Sequence, residues 1–128
     1  LPRLDIRDTS GEPLHLSDYL GKTIKVFFWA SWGDSFGQLK EYLQESARDS
    51  TMTVSLLVNG YDSDPIRAQA SQMEFASEMP YYHIDDAGLE TLGIKYMPGV
   101  MVIGPDGLLD FIDDASDFYF WDLGYPFK

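Results

Sequence analysis

The chain has 128 residues and a mass of 14.5 kDa, and 45% of its residues are hydrophobic, so it can bury a core as one domain and is not disordered. Twenty-one acidic against nine basic residues give a formal net charge of −12. Such a surface repels nucleic acid and anionic membranes but leaves basic or neutral proteins as partners. The chain contains no cysteine, which excludes disulfide bonds, thiolate metal sites and cysteine nucleophiles.

The N-terminal residues predict a hairpin and then a central strand. Apolar residues alternate with polar ones at Leu4 and Ile6 and again at Leu14 and Leu16, and the polar stretch 9–13 separates the two pairs, a pattern that predicts a β-hairpin lying on a core. One helical turn over 17–22 leads into the continuously apolar run 24–29. Because this run offers no polar face to water, we expect it to form a central strand.

A strand, helix and strand are predicted next. Ser35 and Gln38 have the spacing of a capping box, and an apolar stripe follows them to about Arg48, which predicts an amphipathic helix. The run 53–58 predicts a second strand. A unit of this length is nearly always parallel and right-handed, so the sequence predicts an α/β fold.

The second half of the chain predicts two helices and a hairpin. Asp64 before Pro65 opens a helix through about Glu78, which Pro80 ends. The residues that we expect this helix to bury are Ile66, Ala70 and Met73. A short helix over 87–92 ending at Gly93 precedes a predicted antiparallel hairpin of 99–103 and 108–112.

Three segments, 8–22, 27–32 and 93–107, occur in an order and spacing that resembles the TlpA/ResA-like (AhpC/TSA-related) branch of the thioredoxin superfamily. The resemblance covers most of residues 4–112. It implies a single domain over residues 1–128 with a thioredoxin-like three-layer fold, in which helices flank a mixed central sheet and a β-hairpin comes first. It also implies that Pro98 is the cis-proline of the fold.

The redox motif of that family is missing. Where the family has Trp-Cys-x-x-Cys, this chain has Trp32, Gly33, Asp34, Ser35 and Phe36. Disulfide exchange needs one thiolate to attack and a second thiol to resolve the mixed disulfide, and none of these side chains supplies either. We therefore expect a redox-inactive domain with no cofactor that acts as a protein-binding or structural module. The alternative is a thiol-disulfide oxidoreductase whose two cysteines were lost or mutated.

Two surfaces are hypothesised to contact a protein partner. The first follows from the resemblance, because family members bind extended peptides at this site: Trp32, Gly33, Asp34, Ser35, Phe36, Met97 and Pro98. The second follows from the acidic and aromatic composition of residues 113–128: Phe118, Tyr119, Phe120, Trp121, Tyr125 and Phe127. A short closing helix over about 116–123 that covers one sheet face is the structural alternative for this segment.

Two weaker patterns suggest metal sites and have simpler interpretations. His83 and Asp85 alternate on one side of an extended segment, but no third ligand has a recognisable spacing, so we interpret His83 as a surface residue beside a helix-capping Asp86. Asp62 and Asp64 begin like a calcium loop that lacks its glycine and its twelfth ligand, and helix capping by Asp64 explains them better. No nucleotide-binding loop and no hydrolase G-x-S-x-G elbow are present.

The sequence gives little about location. No apolar run approaches the roughly 20 residues that a membrane span needs, and the chain begins Leu1-Pro2, so we interpret it as a mature or trimmed fragment without its targeting segment. The resemblance alone favours an exported, extracytoplasmic or organellar location. The identity of the partner and the oligomeric state stay open.

Overall fold

A mixed six-stranded sheet forms the centre of the protein. The computed structural model describes residues 4–31, 52–62, 64–75, 79–95 and 99–114. The strands lie in the order β1-β4-β3-β2-β5-β6 across the sheet, and in chain order they are β1 (Ile6–Asp8), β2 (Thr23–Trp29), β3 (Thr53–Asn59), β4 (Tyr82–Ile84), β5 (Gly99–Ile103) and β6 (Leu109–Asp114). The helices of these residues are a 3₁₀ helix (Leu16–Tyr19), α1 (Pro65–Phe75) and α2 (Asp86–Leu92).

The sheet combines parallel and antiparallel pairs as the sequence predicts. β3 is parallel to both β2 and β4, and α1 makes the crossover between β3 and β4. β1 is antiparallel to β4, and β5 is antiparallel to both β2 and β6. The predicted α/β fold with a mixed central sheet is therefore confirmed. The predicted helix from Ser35 to Arg48 lies outside the described residues.

The N-terminal hairpin is a tight reversal whose second arm forms no strand. The Leu14 N–H donates to the Ile6 carbonyl at 2.7 Å, and Arg7 and Pro13 form a single antiparallel bridge. Because proline has no N–H to donate, this arm cannot continue a ladder. β1 instead pairs along its whole length with β4.

Both faces of the central strands are buried. Val26 and Phe28 on one face of β2 and Phe27 on the other have no exposed surface, and Trp29 has 1% exposed. This burial on two sides explains why residues 26–29 are continuously apolar rather than alternating. The core cluster on the first face comprises Ile6, Leu16, Ile24, Val26, Phe28, Ala30, Leu56, Val58, Ile84, Leu89, Ile94, Met101 and Ile103.

The short helix α2 has a cap at each end. Asp85, with extended backbone, accepts a hydrogen bond from the Gly88 N–H at 2.8 Å, so the N-cap is Asp85 and the predicted cap at Asp86 is wrong by one residue. Asp86 is already helical, and its side chain therefore cannot take the N-cap geometry. At the other end Gly93 has a φ of 77°, which glycine adopts without steric cost, and its N–H donates to the Glu90 carbonyl.

The helix α1 buries the face opposite to the predicted one. Ile66 and Met73 are 81% and 66% exposed, and Ala70 is also exposed, whereas Ala68 and Gln72 are buried. Ala68 lies two residues after Ile66, about 200° around the helix, so the two side chains point in nearly opposite directions. The prediction that Ile66, Ala70 and Met73 are buried is therefore wrong.

Close approach and hydrogen bonding select the buried face of α1. Ala68 is small and fully buried, so the helix backbone can lie close to its neighbours. The Gln72 side-chain Nε2 donates to the Met79 carbonyl at 3.0 Å and to the Pro80 carbonyl at 3.1 Å, which ties α1 to the segment that leads into β4. The start of α1 agrees with the sequence, because Asp64 Oδ1 accepts from the N–H of Arg67 at 3.1 Å, as a helix cap does.

This orientation predicts which substitutions in α1 destabilise the fold. Ala68→Leu should lower the free energy of unfolding by about 1–3 kcal/mol, because the added carbons must enter a filled space. Ile66→Ala should change it by less than about 0.5 kcal/mol, because the side chain is exposed. Urea denaturation of both variants measures the difference, and a larger loss for Ile66→Ala would contradict the observed orientation.

Candidate functional site

The carboxyl ends of β2 and β3 meet at one edge of the sheet. The two strands are parallel and in register, with Trp29 opposite Asn59, and His83 of β4 lies on the other side of Asn59. β5 begins at Gly99 opposite Phe28, so the chain enters β5 at the edge where it leaves β2. Ligands of open α/β sheets bind outside the carboxyl ends of the parallel strands. This edge is therefore the candidate site.

Asp62 holds the chain at the point where it leaves β2. The Ser31 N–H donates to Asp62 Oδ2 at 2.7 Å and the Ser31 hydroxyl donates to Asp62 Oδ1 at 2.9 Å, across 31 residues of sequence. Both carboxylate oxygens are used, so the loop after β3 fixes the position and the direction of the residue that directly precedes Trp32. Hydrogen bonds to a carboxylate are stronger than those between neutral groups.

Asn59 joins this contact to β4. It is fully buried, and its Nδ2 donates to the Trp29 carbonyl at 3.3 Å and to Asp62 Oδ2 at 3.1 Å. Its Oδ1 accepts from the Tyr81 hydroxyl at 2.9 Å and contacts His83 Nδ1 at 3.2 Å. All four hydrogen-bonding positions of the amide are occupied. We refer to Ser31, Asn59, Asp62, Tyr81 and His83 as the Asn59 network.

The network also assigns the tautomer of His83. Because Asn59 Oδ1 can only accept, His83 Nδ1 must carry the hydrogen in their contact. His83 is partly exposed, which is compatible with its interpretation as a surface residue, but the sequence could not show that Asn59 lies beside it. The neighbouring Asp85 is engaged as the cap of α2. Within the described ranges, no group of three or more histidine, aspartate or glutamate side chains is placed to hold a metal ion.

The pKa values within the network follow from burial and hydrogen bonding. Burial raises the pKa of Asp62, but hydrogen bonds from Ser31, Asn59 and the Asp64 backbone outweigh it and leave the pKa below its ordinary value. Burial, and secondarily the charge of Asp62, raises the pKa of the Tyr81 hydroxyl to about 12. At neutral pH the edge therefore carries an ionised carboxylate beside a neutral phenol.

A turn in an unusual conformation brings Asp62 back to the edge. Tyr61 has a φ of 52°, in the left-handed region that residues other than glycine seldom adopt. Its hydroxyl donates to the Ile94 carbonyl at 2.7 Å, and the preceding Gly60 N–H donates to the Trp29 carbonyl at 2.9 Å. These bonds offset a backbone strain of about 1 kcal/mol or more and hold the turn in a geometry in which Asp62 reaches Ser31.

The residues that the sequence singles out for binding lie outside the described residues. This applies to Trp32, Gly33, Asp34, Ser35, Phe36, Met97 and Pro98, and to Phe118, Tyr119, Phe120, Trp121, Tyr125 and Phe127. Asn59 and Tyr81 were not among the predicted site residues. The sequence held a signal for Asn59, because it is a lone amide at the end of the apolar run 56–58.

Loss of the Asn59 amide should be costly. Asn59→Ala should lower the free energy of unfolding by about 2–4 kcal/mol, because the Tyr81 hydroxyl is left without its acceptor and Asp62 loses a donor. Tyr81→Phe, which removes one hydrogen bond, should cost only about 1 kcal/mol. Chemical denaturation measures both variants. Equal losses would show that Asn59 does not link the segments.

Asp62 should make stability depend on pH. Its pKa is lower in the folded chain than in the unfolded one, so the stability that its ionisation contributes is present above about pH 4 and is lost as the pH falls through the folded pKa. The difference in free energy of unfolding between wild type and Asp62→Asn should therefore shrink on acidification. Ile66→Ala, which removes no titratable group from an exposed position of α1, is the control, and its difference from wild type should not change with pH. A pH-independent difference for Asp62→Asn would contradict the assignment.

Comparison with known proteins extends these observations. No family model and no curated protein matches the chain. A thiol:disulfide interchange protein from Bacteroides sp. is similar in structure, with a TM-score of 0.72, 18% identity and coverage of 97% of this chain and 86% of that one. The thioredoxin domain of a thiol-disulfide oxidoreductase from Bacteroides vulgatus has a TM-score of 0.68 and 19% identity, with coverage of 96% of this chain and 95% of that one. The exposed lipoprotein thioredoxin Etrx1 from Streptococcus pneumoniae has a TM-score of 0.67 and 22% identity, with coverage of 93% of this chain and 96% of that one.

Proposed function

From the thioredoxin-like fold that this chain shares with thiol:disulfide oxidoreductases, we propose that it is a redox-inactive domain that binds a protein segment at the carboxyl edge of its sheet. The observation that carries the proposal is a thioredoxin-like strand order, with the Asn59 network at the carboxyl edge of the sheet, in a sequence without cysteine. Disulfide exchange requires a thiolate, and the Asp62 carboxylate and Ser31 hydroxyl that stand at this edge do not exchange with disulfide sulfur.

The Asn59 network supports binding because it fixes the chain at the end of β2. Binding costs less free energy when the binding surface is already ordered. The Ser31 N–H and hydroxyl both donate to Asp62, and the Asn59 amide that donates to the same carboxylate is buried with all its hydrogen-bonding positions occupied. A segment that binds beside Ser31 therefore meets a backbone position that hydrogen bonds already fix.

Charge favours a neutral or basic partner segment. The net charge is −12, and Asp62 is ionised at neutral pH because its pKa is lowered. An acidic segment would be repelled, and a basic one would be attracted. We place an extended peptide against the residues that the resemblance assigns to this site: Trp32, Gly33, Asp34, Ser35, Phe36, Met97 and Pro98. The aromatic C-terminal residues stay a second predicted contact surface.

The proposed location rests only on proteins of similar structure. Etrx1 is described as an exposed lipoprotein, which supports an exported location for a chain with the same fold. In the described part of the chain, no helix is long and apolar enough to cross a membrane.

Peptide selection tests the binding function. From a library of random 12-residue peptides, selection should enrich neutral and basic sequences and deplete acidic ones. Phe36→Ala should weaken binding of the selected peptides by about tenfold or more, which is typical of an aromatic anchor. Leu108→Ala is the matched control, because Leu108 is 66% exposed and follows the end of β5 at the opposite edge of the sheet. Equal effects of the two substitutions would contradict binding at the carboxyl edge.

Insulin reduction tests the absence of redox chemistry in the same preparation. The chain should not accelerate insulin reduction by dithiothreitol above the uncatalysed rate. A double variant, Gly33→Cys with Phe36→Cys, should gain activity, and the corresponding double serine variant should not, because only a thiolate attacks a disulfide. Turnover by the unaltered chain would overturn the proposed function.

A further inference from the structure

The outward side of α1 carries an apolar stripe. Ile66, Ala70 and Met73 follow one another at the spacing i, i+4 and i+7, which places them within an arc of about 60° around the helix. Ile66 is 81% exposed, Met73 is 66% exposed, and Ala70 is also exposed. This spacing is typical of a helix face that packs against another element. Because α1 buries its other side in the fold, the stripe stays on the surface.

Two opposite charges border the stripe on the same flank. At about 100° per residue, Arg67 and Glu74 lie about 20° apart around the helix and about 80° from the centre of the stripe. They are seven residues apart along the chain, which is farther than the three or four residues over which side chains of one helix interact. Neither side chain forms an ion pair with another described residue. Both charges can therefore pair with a second molecule.

These positions are self-complementary when two copies of α1 run antiparallel. With Ala70 opposite the partner's Ala70, Ile66 lies within about 1.5 Å in height of the partner's Met73, and Arg67 lies equally close in height to the partner's Glu74. An antiparallel two-fold pair brings equal flanks together, so the two charges of one copy meet the opposite charges of the other. In a parallel pair equal residues would lie level, and Arg67 would meet no acid.

We propose that the α1 face, formed by Ile66, Arg67, Ala70, Met73 and Glu74, binds a second copy of the chain in an antiparallel two-fold contact. A small residue at the axis lets the two helices approach closely. A two-fold contact uses the same patch on both copies, so that patch must complement itself. The α1 face does so in its apolar residues and in its charges. The inference does not depend on the proposed function, because none of these residues belongs to the carboxyl edge.

Charge and size make this dimer weak. The net charge of −12 makes two copies repel each other, although α1 itself carries one basic and one acidic residue. At physiological salt the repulsion is screened beyond about 8 Å. A helix of 11 residues is only about 16 Å long and buries less surface than a permanent dimer needs. We expect a Kd on the order of 0.1 mM, so the chain is a monomer at the micromolar concentrations of a denaturation experiment.

Sedimentation equilibrium tests self-association. At about 0.15 M NaCl, the average mass should rise from the chain mass of 14.5 kDa at about 5 µM protein toward twice that mass at about 1 mM. Ala70→Glu places two carboxylates at the axis and should weaken association by about tenfold or more. Ala87→Glu, the same change at an exposed position of α2, should alter it by less than about twofold. A mass that stays at 14.5 kDa throughout would overturn the proposal.

Charge reversal tests the antiparallel register. Arg67→Glu and Glu74→Arg each bring like charges together and should each weaken self-association by about fivefold or more, even though Glu74→Arg reduces the net negative charge. An equimolar mixture of the two variants pairs the glutamates of one with the arginines of the other, so it should associate about as tightly as the unaltered chain. The double variant keeps opposite charges opposite and should also recover. Failure of both to recover would overturn the register.

A cysteine at the axis provides a covalent test, because the chain has no cysteine of its own. Side chains at the axis of two closely packed helices lie within the distance that a disulfide spans. Oxidation of Ala70→Cys with diamide should therefore give a disulfide-linked dimer. Ala87→Cys, at the exposed α2 position, is the control and should give little dimer under the same conditions. Equal yields from the two variants would overturn the position of the axis.

The outcomes distinguish this inference from the proposed function. A chain that stays monomeric and still binds selected peptides at the carboxyl edge would overturn the dimer and leave the proposed function supported. Insulin turnover by the unaltered chain would instead overturn the proposed function, whatever the α1 face binds.

Discussion

The rest of this site depends on one buried amide. Asn59 sits at the end of β3 with all four of its hydrogen-bonding positions filled, and through them it connects the end of β2, the turn that carries Asp62 and the segment that leads into β4. An amide in this position is stable only while every partner is present, because an unpaired polar group in a dry environment is costly. The arrangement is therefore specified as a unit. Asn59 holds the Asp62 carboxylate, and that carboxylate in turn fixes the N–H and the hydroxyl of Ser31, the residue that follows the end of β2.

The hydrogen bonds that shape this edge do not depend on the thiols that disulfide exchange requires. The groups that shape the edge, namely a carboxylate, an amide, a phenol and an imidazole, are held by hydrogen bonds that do not involve sulfur. By the sequence resemblance, Gly33 and Phe36 stand where that family has its two cysteines, and neither residue takes part in these hydrogen bonds. Function resides in the sites that a fold carries and not in the fold itself.

Tyr81 connects the carboxyl edge with α1. Its hydroxyl donates to Asn59, and the residue also lines a small cleft beside α1 together with Gln72 and Met79. Gln72 has an anchoring role of its own, because its amide hydrogens hold the segment before β4. The segment 79–81 is therefore held from two sides, by Gln72 of α1 and by Asn59 of β3.

Local sequence patterns determined the helices and strands of this fold. Packing between distant segments decided which helix face is buried and which residues form the Asn59 network. The continuous apolar run of β2, the cap of α1 at Asp64 and the glycine that ends α2 are properties of neighbouring residues, so the sequence predicts them. The missing thiols are likewise read directly from the sequence. The buried face of α1 was predicted wrongly because periodicity places apolar residues on one side, whereas the close approach of Ala68 and the bonds of Gln72 to distant carbonyls decide which side faces inward. The Asn59 network joins residues up to 31 positions apart, and only the register of three strands brings such donors and acceptors within hydrogen-bonding distance.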